Sequence, residues 1–316
     1  MGWSAAPLVL PAALQRRVEH TIAGLYQPAG REREDFSQPA GEAALIAPDS
    51  VSWMVFKNPA VLFIGGVAAV VLELAEPRVR TGVWEHSAFR EQPLERLRRT
   101  ALATVVTVYG ARSRAEAMIE RVTRLHGRIA GTTPCGDRYA ATDPQLLTWV
   151  QATAAFGFLE AYHAFVRPLD GEERDRFYAE GLAAAQLYGA SGAPGSQAEQ
   201  SALFEHMRAR LEASDIVHEF LAIVRRMPAL AAPLRPMQSL LVRAAIDVVP
   251  AWARERLGLP RMPLTAWQRG LVCRIAAGAD RLLLRSSAAV QSCRRLALQD
   301  DYLYAAAPWA ALDAPR

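Results

Sequence analysis

Apolar residues recur at helical spacing along most of the chain, and few segments alternate apolar and polar positions as a half-buried strand would. The pattern predicts a nearly all-α protein. Leu14 to Leu25 reads as a short helix, followed by a loop (QPAGREREDFSQPAGE) punctuated by Pro and Gly. Three central helices have readable ends. One starts at Pro93, carries LERLRRTALATVVTVYG and stops at Gly110. The next opens with Ser113 and Glu116, spaced as a capping box, and runs to Gly131. The third has Asp143 as cap and Pro144 in its first turn, and continues to Pro168. Short connections make these helices packing neighbours, with Leu146, Val150, Ala154 and Ala161 of the third forming a small-residue face. The expected architecture is a single compact multi-helix domain with globin-like packing around a central cavity. Residues 1–50 form an N-terminal helix and wrapping loop, and residues 51–316 the helical body. ASGAPGSQ at 190–197 joins two helical halves.

The first central helix is unusual. Leu97, Ala101, Val105 and Val108 make an apolar face, while Arg96, Thr100, Thr104 and Thr107 draw a polar line beside it. That line is either a solvated face whose threonines bond their own backbone, or a row in which Arg96 and Thr100 meet an anionic or oxygen-bearing ligand in a cavity.

Composition narrows the function classes. The 316 residues are 51% hydrophobic and 22% charged, enough for a sizeable core. The net charge of +4 comes almost entirely from arginine, since Lys57 is the only lysine. Nothing concentrates that charge into a nucleic-acid footprint. Cys135, Cys273 and Cys293 are odd in number and lack paired spacing, so a reducing cytoplasmic setting is expected. The amino terminus has its basic residues after the apolar stretch and does not read as a signal peptide. Asn58 to Leu72 is uncharged but shorter than the roughly 20 residues a bilayer span needs. A buried helix is expected there, with peripheral membrane contact as the alternative.

The candidate chemistry centres on histidine. His126, in RVTRLHGRIAG, sits on an apolar flank with Ile119, Val122 and Ile129 nearby. It reads either as a hydrogen-bonded core ring or as a metal ligand, and one imidazole with apolar walls and a cation for propionates suffices for haem. Zinc or non-haem iron would need a convergent set that the sequence lacks. His86 reads as a structural hydrogen bonder. His163, near a helix end, is placed to favour the helix dipole as a cation. No nucleophile elbow or dinucleotide fingerprint is present.

Together the strings FIGGVAAVVLELAEP, GVWEHSAFREQPLERLRRT, RLHGRIAG, DRYAATDPQLLTWV, FVRPLDGEERDRFYAE and WARERLGLP resemble, in order and spacing, the catalytic-domain family of the MpaB oxygenase and the latex clearing protein, a rubber oxygenase. The resemblance implies an all-helical fold binding b-type haem through one axial histidine and using dioxygen to cleave carbon–carbon double bonds in apolar chains. On that resemblance His126 is the axial iron ligand, and Arg96 and Thr100 of RLRRT approach the haem pocket. Arg99 takes a seat where latex clearing proteins tend to have a lysine able to cap the iron. Arginine does not readily lose its proton, so the iron position should stay open. Glu85 matches an acidic residue proposed as a base. Gln151 stands in WVQAT where many relatives have histidine; an amide is a poor iron donor and can instead hydrogen-bond into the pocket.

The expectation is therefore a haem-dependent oxygenase acting with dioxygen or peroxide on an apolar isoprenoid, lipid or natural-product precursor. The alternatives are a cofactor-free acid-base cyclase or dehydratase, and a non-catalytic binder of apolar ligands.

Overall fold

A computed structural model describes residues 6–27, 33–230, 234–259 and 263–304. Among them the regular structure is α-helical apart from one small hairpin and a short 3-10 turn, as the spacing predicts. Residues 28–32 of the wrapping loop and Pro260 of WARERLGLP lie outside the described residues.

The centre is a pair of antiparallel helices, α3 (Pro59–Glu73) and α7 (Pro144–Phe165). α3 starts where Asn58, itself fully buried, accepts from the amides of Ala60 and Val61, and Pro59 occupies the first turn. The two helices meet backbone to backbone. A Cβ on Gly157 would stand 2.4 Å from the Gly65 carbonyl oxygen, and one on Gly65 would stand 2.7 Å from Phe158 Cα. Only hydrogen fits at this crossing. Two turns along, Trp149 Nε1 donates to Leu72 O at 3.2 Å and fixes the register.

A second pair, α5 (Pro93–Tyr109) and α6 (Arg112–His126), packs on itself, and α5 also packs on α2 (Val51–Phe56), which adjoins α3 and α7. α1 (Ala12–Tyr26) lies along α5, where Arg98 Nε donates to Gly24 O at 2.6 Å. α9 (Leu182–Tyr188) touches both α6 and α7 and so bridges the two pairs.

Three local readings are corrected. The capping box at Ser113 and Glu116 does not form: the Ser113 amide and hydroxyl go to the carboxylate of Glu42, at 2.6 and 3.0 Å, and Ala111 is the N-cap. A side chain from the wrapping segment thus supplies the anion that a helix start favours. α6 ends at His126 rather than Gly131, because residues 130–132 turn into an antiparallel hairpin, β1 (Ala130–Thr132) with β2 (Arg138–Ala140). His163 is not left to the helix dipole: its Nδ1 accepts the Leu169 amide at 3.0 Å and ties the ring to the chain just past the helix.

The wrapping segment is held by Arg295, 2% exposed, in α15 (Ala288–Arg295). It donates to the carbonyls of Glu42, Phe36 and Tyr109, each at 2.8 Å. Lys57 is equally saturated, with Asp280 Oδ1 at 2.7 Å and Asp280 O at 2.6 Å. No single described helix is long and apolar enough to cross a membrane; α3 and α4 (Pro77–His86), bent by 111° at their junction, pass only as a pair, and α3 is mostly buried in protein.

Candidate functional site

The central helices are not buried on every side. On α3, an apolar helix with Val61, Ile64, Ala68 and Leu72 at 0% exposure, the residues Leu62, Phe63, Gly66, Val70 and Glu73 remain half-buried. Their spacing puts them on one stripe beside the α7 crossing. Leu97, Ala101 and Thr104 of α5, Val122 and His126 of α6, and Val150, Gln151, Ala154 and Ala155 of α7 are half-buried in the same way. Arg96 lies within electrostatic reach of both Glu73 and His126, so these stripes mark a candidate recess between the two helix pairs.

Its walls are apolar and small. A Cβ on Gly66 would meet only the edge of the Phe158 ring, at 3.9 Å, although its neighbour Gly65 is jammed against α7. Gly66, Ala101, Ala154 and Ala155 present the smallest side chains on these stripes.

One end is charged. Glu73, in the last turn of α3, is pushed up to a pKa of about 7 by burial, and the positive charge of Arg96 only partly offsets this. Arg96 is likewise desolvated, lowering its own pKa, with Glu73 the charge that opposes the shift. His126 falls below its ordinary value because burial and then the Arg96 charge disfavour the imidazolium. That direction is informative. A helix C-terminus stabilises a cation by about 0.3–1 kcal/mol in exposed settings, yet here desolvation and Arg96 win. At neutral pH the ring carries a free nitrogen lone pair. None of the side chains of His126, Glu73 and Gln151 forms a hydrogen bond with a described residue, so all three retain capacity for a ligand.

The sequence candidates therefore divide. Arg96, Thr100 and His126 are brought together: the Arg96 guanidinium meets the Thr100 hydroxyl, and its charge reaches His126. The rest of the threonine line satisfies itself on the helix backbone, Thr104 on Thr100 O and Thr107 on Ala103 O. Arg99 is exposed and lies 3.9 Å from Glu95, where its charge reaches Arg96 without facing it. Glu85 is exposed at the end of α4 and accepts from the Tyr139 hydroxyl at 3.3 Å, a hydroxyl also 3.1 Å from His86 Nε2. No contact carries Glu85 to Arg96 or His126. Gln151 stands on the recess face of α7.

Glu73 was not among the sequence candidates. Its signal was there, a lone carboxylate closing an uncharged run, but its meaning depends on Arg96, which only the fold brings near. Among the described residues no three His, Cys, Asp or Glu side chains form a cluster fit for a bare metal ion. Two open surface clefts, one lined by Glu19, Arg33, Asp35 and Arg294 and the other by Val9, Leu283 and Asp301, share no residue with the recess.

The family described as ER-bound oxygenase mpaB/B'/Rubber oxygenase, catalytic domain, matches residues 53–280. The chain belongs to this oxygenase family. The match runs from α2 (Val51–Phe56) to α14 (Ala266–Arg281) and takes in Glu73, Arg96, His126 and Gln151. No curated protein and no solved structure matches.

Proposed function

We propose that this MpaB and rubber oxygenase relative is a haem-dependent oxygenase for an apolar small molecule, with b-type haem held in the recess by His126. The observation that carries this reading is the His126 ring, half-buried, kept neutral by desolvation and the nearby Arg96 charge, with no side-chain hydrogen bond to a described residue. The residues fit the group: haem needs one imidazole nitrogen, apolar sides and a cation near its propionates, and His126, the Gly66, Ala154 and Ala155 walls, and Arg96 offer these. Bound there, haem supplies an iron that activates dioxygen or a peroxide.

The chain's own residues do the rest. Arg96, braced by Thr100, orients an oxygen atom or a propionate. Glu73, with a pKa of about 7, can hold or release a proton at neutral pH, whereas Glu85 is exposed and hydrogen-bonded to Tyr139 away from Arg96. Arg99, exposed beside Glu95, leaves the site open. The substrate this reading favours is an isoprenoid, lipid or natural-product precursor, enclosed by the apolar stripes that exclude water.

A visible spectrum of protein expressed with ample haem tests it. A Soret band is expected, lost in His126→Ala and kept in Gln151→Ala. Colourless wild-type protein overturns the proposal. One observation favours a second reading, a cofactor-free acid-base cyclase or dehydratase: Glu73 is poised as a proton donor and acceptor opposite Arg96, which could hold a carbonyl.

A further inference from the structure

The two ends of the recess differ in chemistry. The Trp149 to Leu72 hydrogen bond sets Glu73 level with the turn of α7 that carries Gln151. Two turns away, where Gly65 meets Phe158, the walls are Leu62, Phe63 and Gly66. An apolar end therefore faces a polar one, about 10 Å apart at 1.5 Å per helical residue.

At the polar end Arg96 is engaged with Thr100, whereas the Gln151 amide is committed to nothing. It is half-buried and makes no hydrogen bond with a described residue. It lies against the backbone of Gly181, where an added Cβ would stand 3.8 Å from Nε2, but the Gly181 amide goes to Tyr178 O instead. An amide offers two donors and an acceptor. Covering them with hydrocarbon leaves each unmet group desolvated, a penalty that a matching oxygen removes. A recess built for pure hydrocarbon gains nothing from such a group.

We propose that Gln151 recognises a carbonyl or hydroxyl oxygen at one end of an otherwise apolar substrate, so that this protein selects polar-headed chains over hydrocarbons. The inference rests on the reading of the recess as the substrate site. A carbonyl accepts from Nε2, while a hydroxyl can also donate to Oε1. A hydrocarbon leaves both atoms desolvated and unpaired, so selection comes from the penalty on the wrong ligand as much as from the bond to the right one.

Binding of dodecane, 2-dodecanone and 1-dodecanol to the purified protein, measured by calorimetry with the Soret absorbance recorded on the same sample, tests this. The wild type should bind the ketone and the alcohol at least about tenfold more tightly than the alkane. Gln151→Leu should bring all three together, mainly by tightening the alkane. Gln151→Glu, which keeps the size but presents an acceptor when ionised, should retain the alcohol and lose the ketone. Equal wild-type affinities, an unchanged ratio in Gln151→Leu, or loss of the Soret band on that substitution would each overturn the assignment. A wild type without a Soret band that still prefers the ketone would instead remove the haem reading and leave this one standing.

Discussion

Gly65 and Gly66 are neighbours in sequence and serve adjacent but different faces of α3. At Gly65 the helix touches α7 so closely that a methyl group would collide with backbone; at Gly66 a methyl group would meet one ring atom at 3.9 Å. The two ends of the same helix differ as well. Lys57, at its start, is a buried charge whose ammonium is saturated by Asp280, with the Tyr304 ring 4.9 Å away. Glu73, at its end, is a desolvated carboxyl that no described residue hydrogen-bonds. Buried polarity that is fully satisfied holds the fold; buried polarity left open is where a ligand can act.

Four substitutions can break or sharpen that contrast. The largest effect is expected from Lys57→Met, which strands Asp280 and should cost about 3–5 kcal/mol in urea denaturation. Gly157→Ala comes next: its methyl group must force α3 and α7 apart, for a net loss of about 2–3 kcal/mol after the helix-propensity gain. Glu73→Gln should do the reverse and stabilise. The carboxyl pKa is about 7 in the folded chain, above its unfolded value, so its favourable contribution is complete at low pH and is lost as pH rises through about 7. Denaturation midpoints of wild type and variant should therefore diverge between pH 5 and 8, by on the order of 1–3 kcal/mol at the upper end. Gly66→Ala should change stability least, gaining at most about 1 kcal/mol, while lowering the Soret-to-protein absorbance ratio by narrowing the recess. A Gly66→Ala variant as unstable as Gly157→Ala would show that the two faces do not differ.

Most of the helical frame was readable in the sequence, because its signals are local. Pro93 and Gly110 bound α5, and Asp143 and Pro144 open α7, each through chemistry contained within a few residues. What escaped was set at a distance. Glu42 displaces the local box at Ser113 from 71 residues away. The hairpin strands have three residues each, too few for alternation to register. Arg96, Thr100 and His126 were legible as candidates through residue type and family likeness. Glu73 needed the approach of two helices 23 positions apart to become significant.

His126 is the last residue of its helix, and the chain leaves it directly for the hairpin. Tyr139 wedges that hairpin: its hydroxyl fills the position of a missing Cβ on Gly131, and its ring borders Gly82 of α4. The imidazole is thus mounted at a joint rather than along a rod. Changes in the hairpin or on α4 could tilt the ring by small increments and retune whatever it binds, without altering a single wall of the chamber.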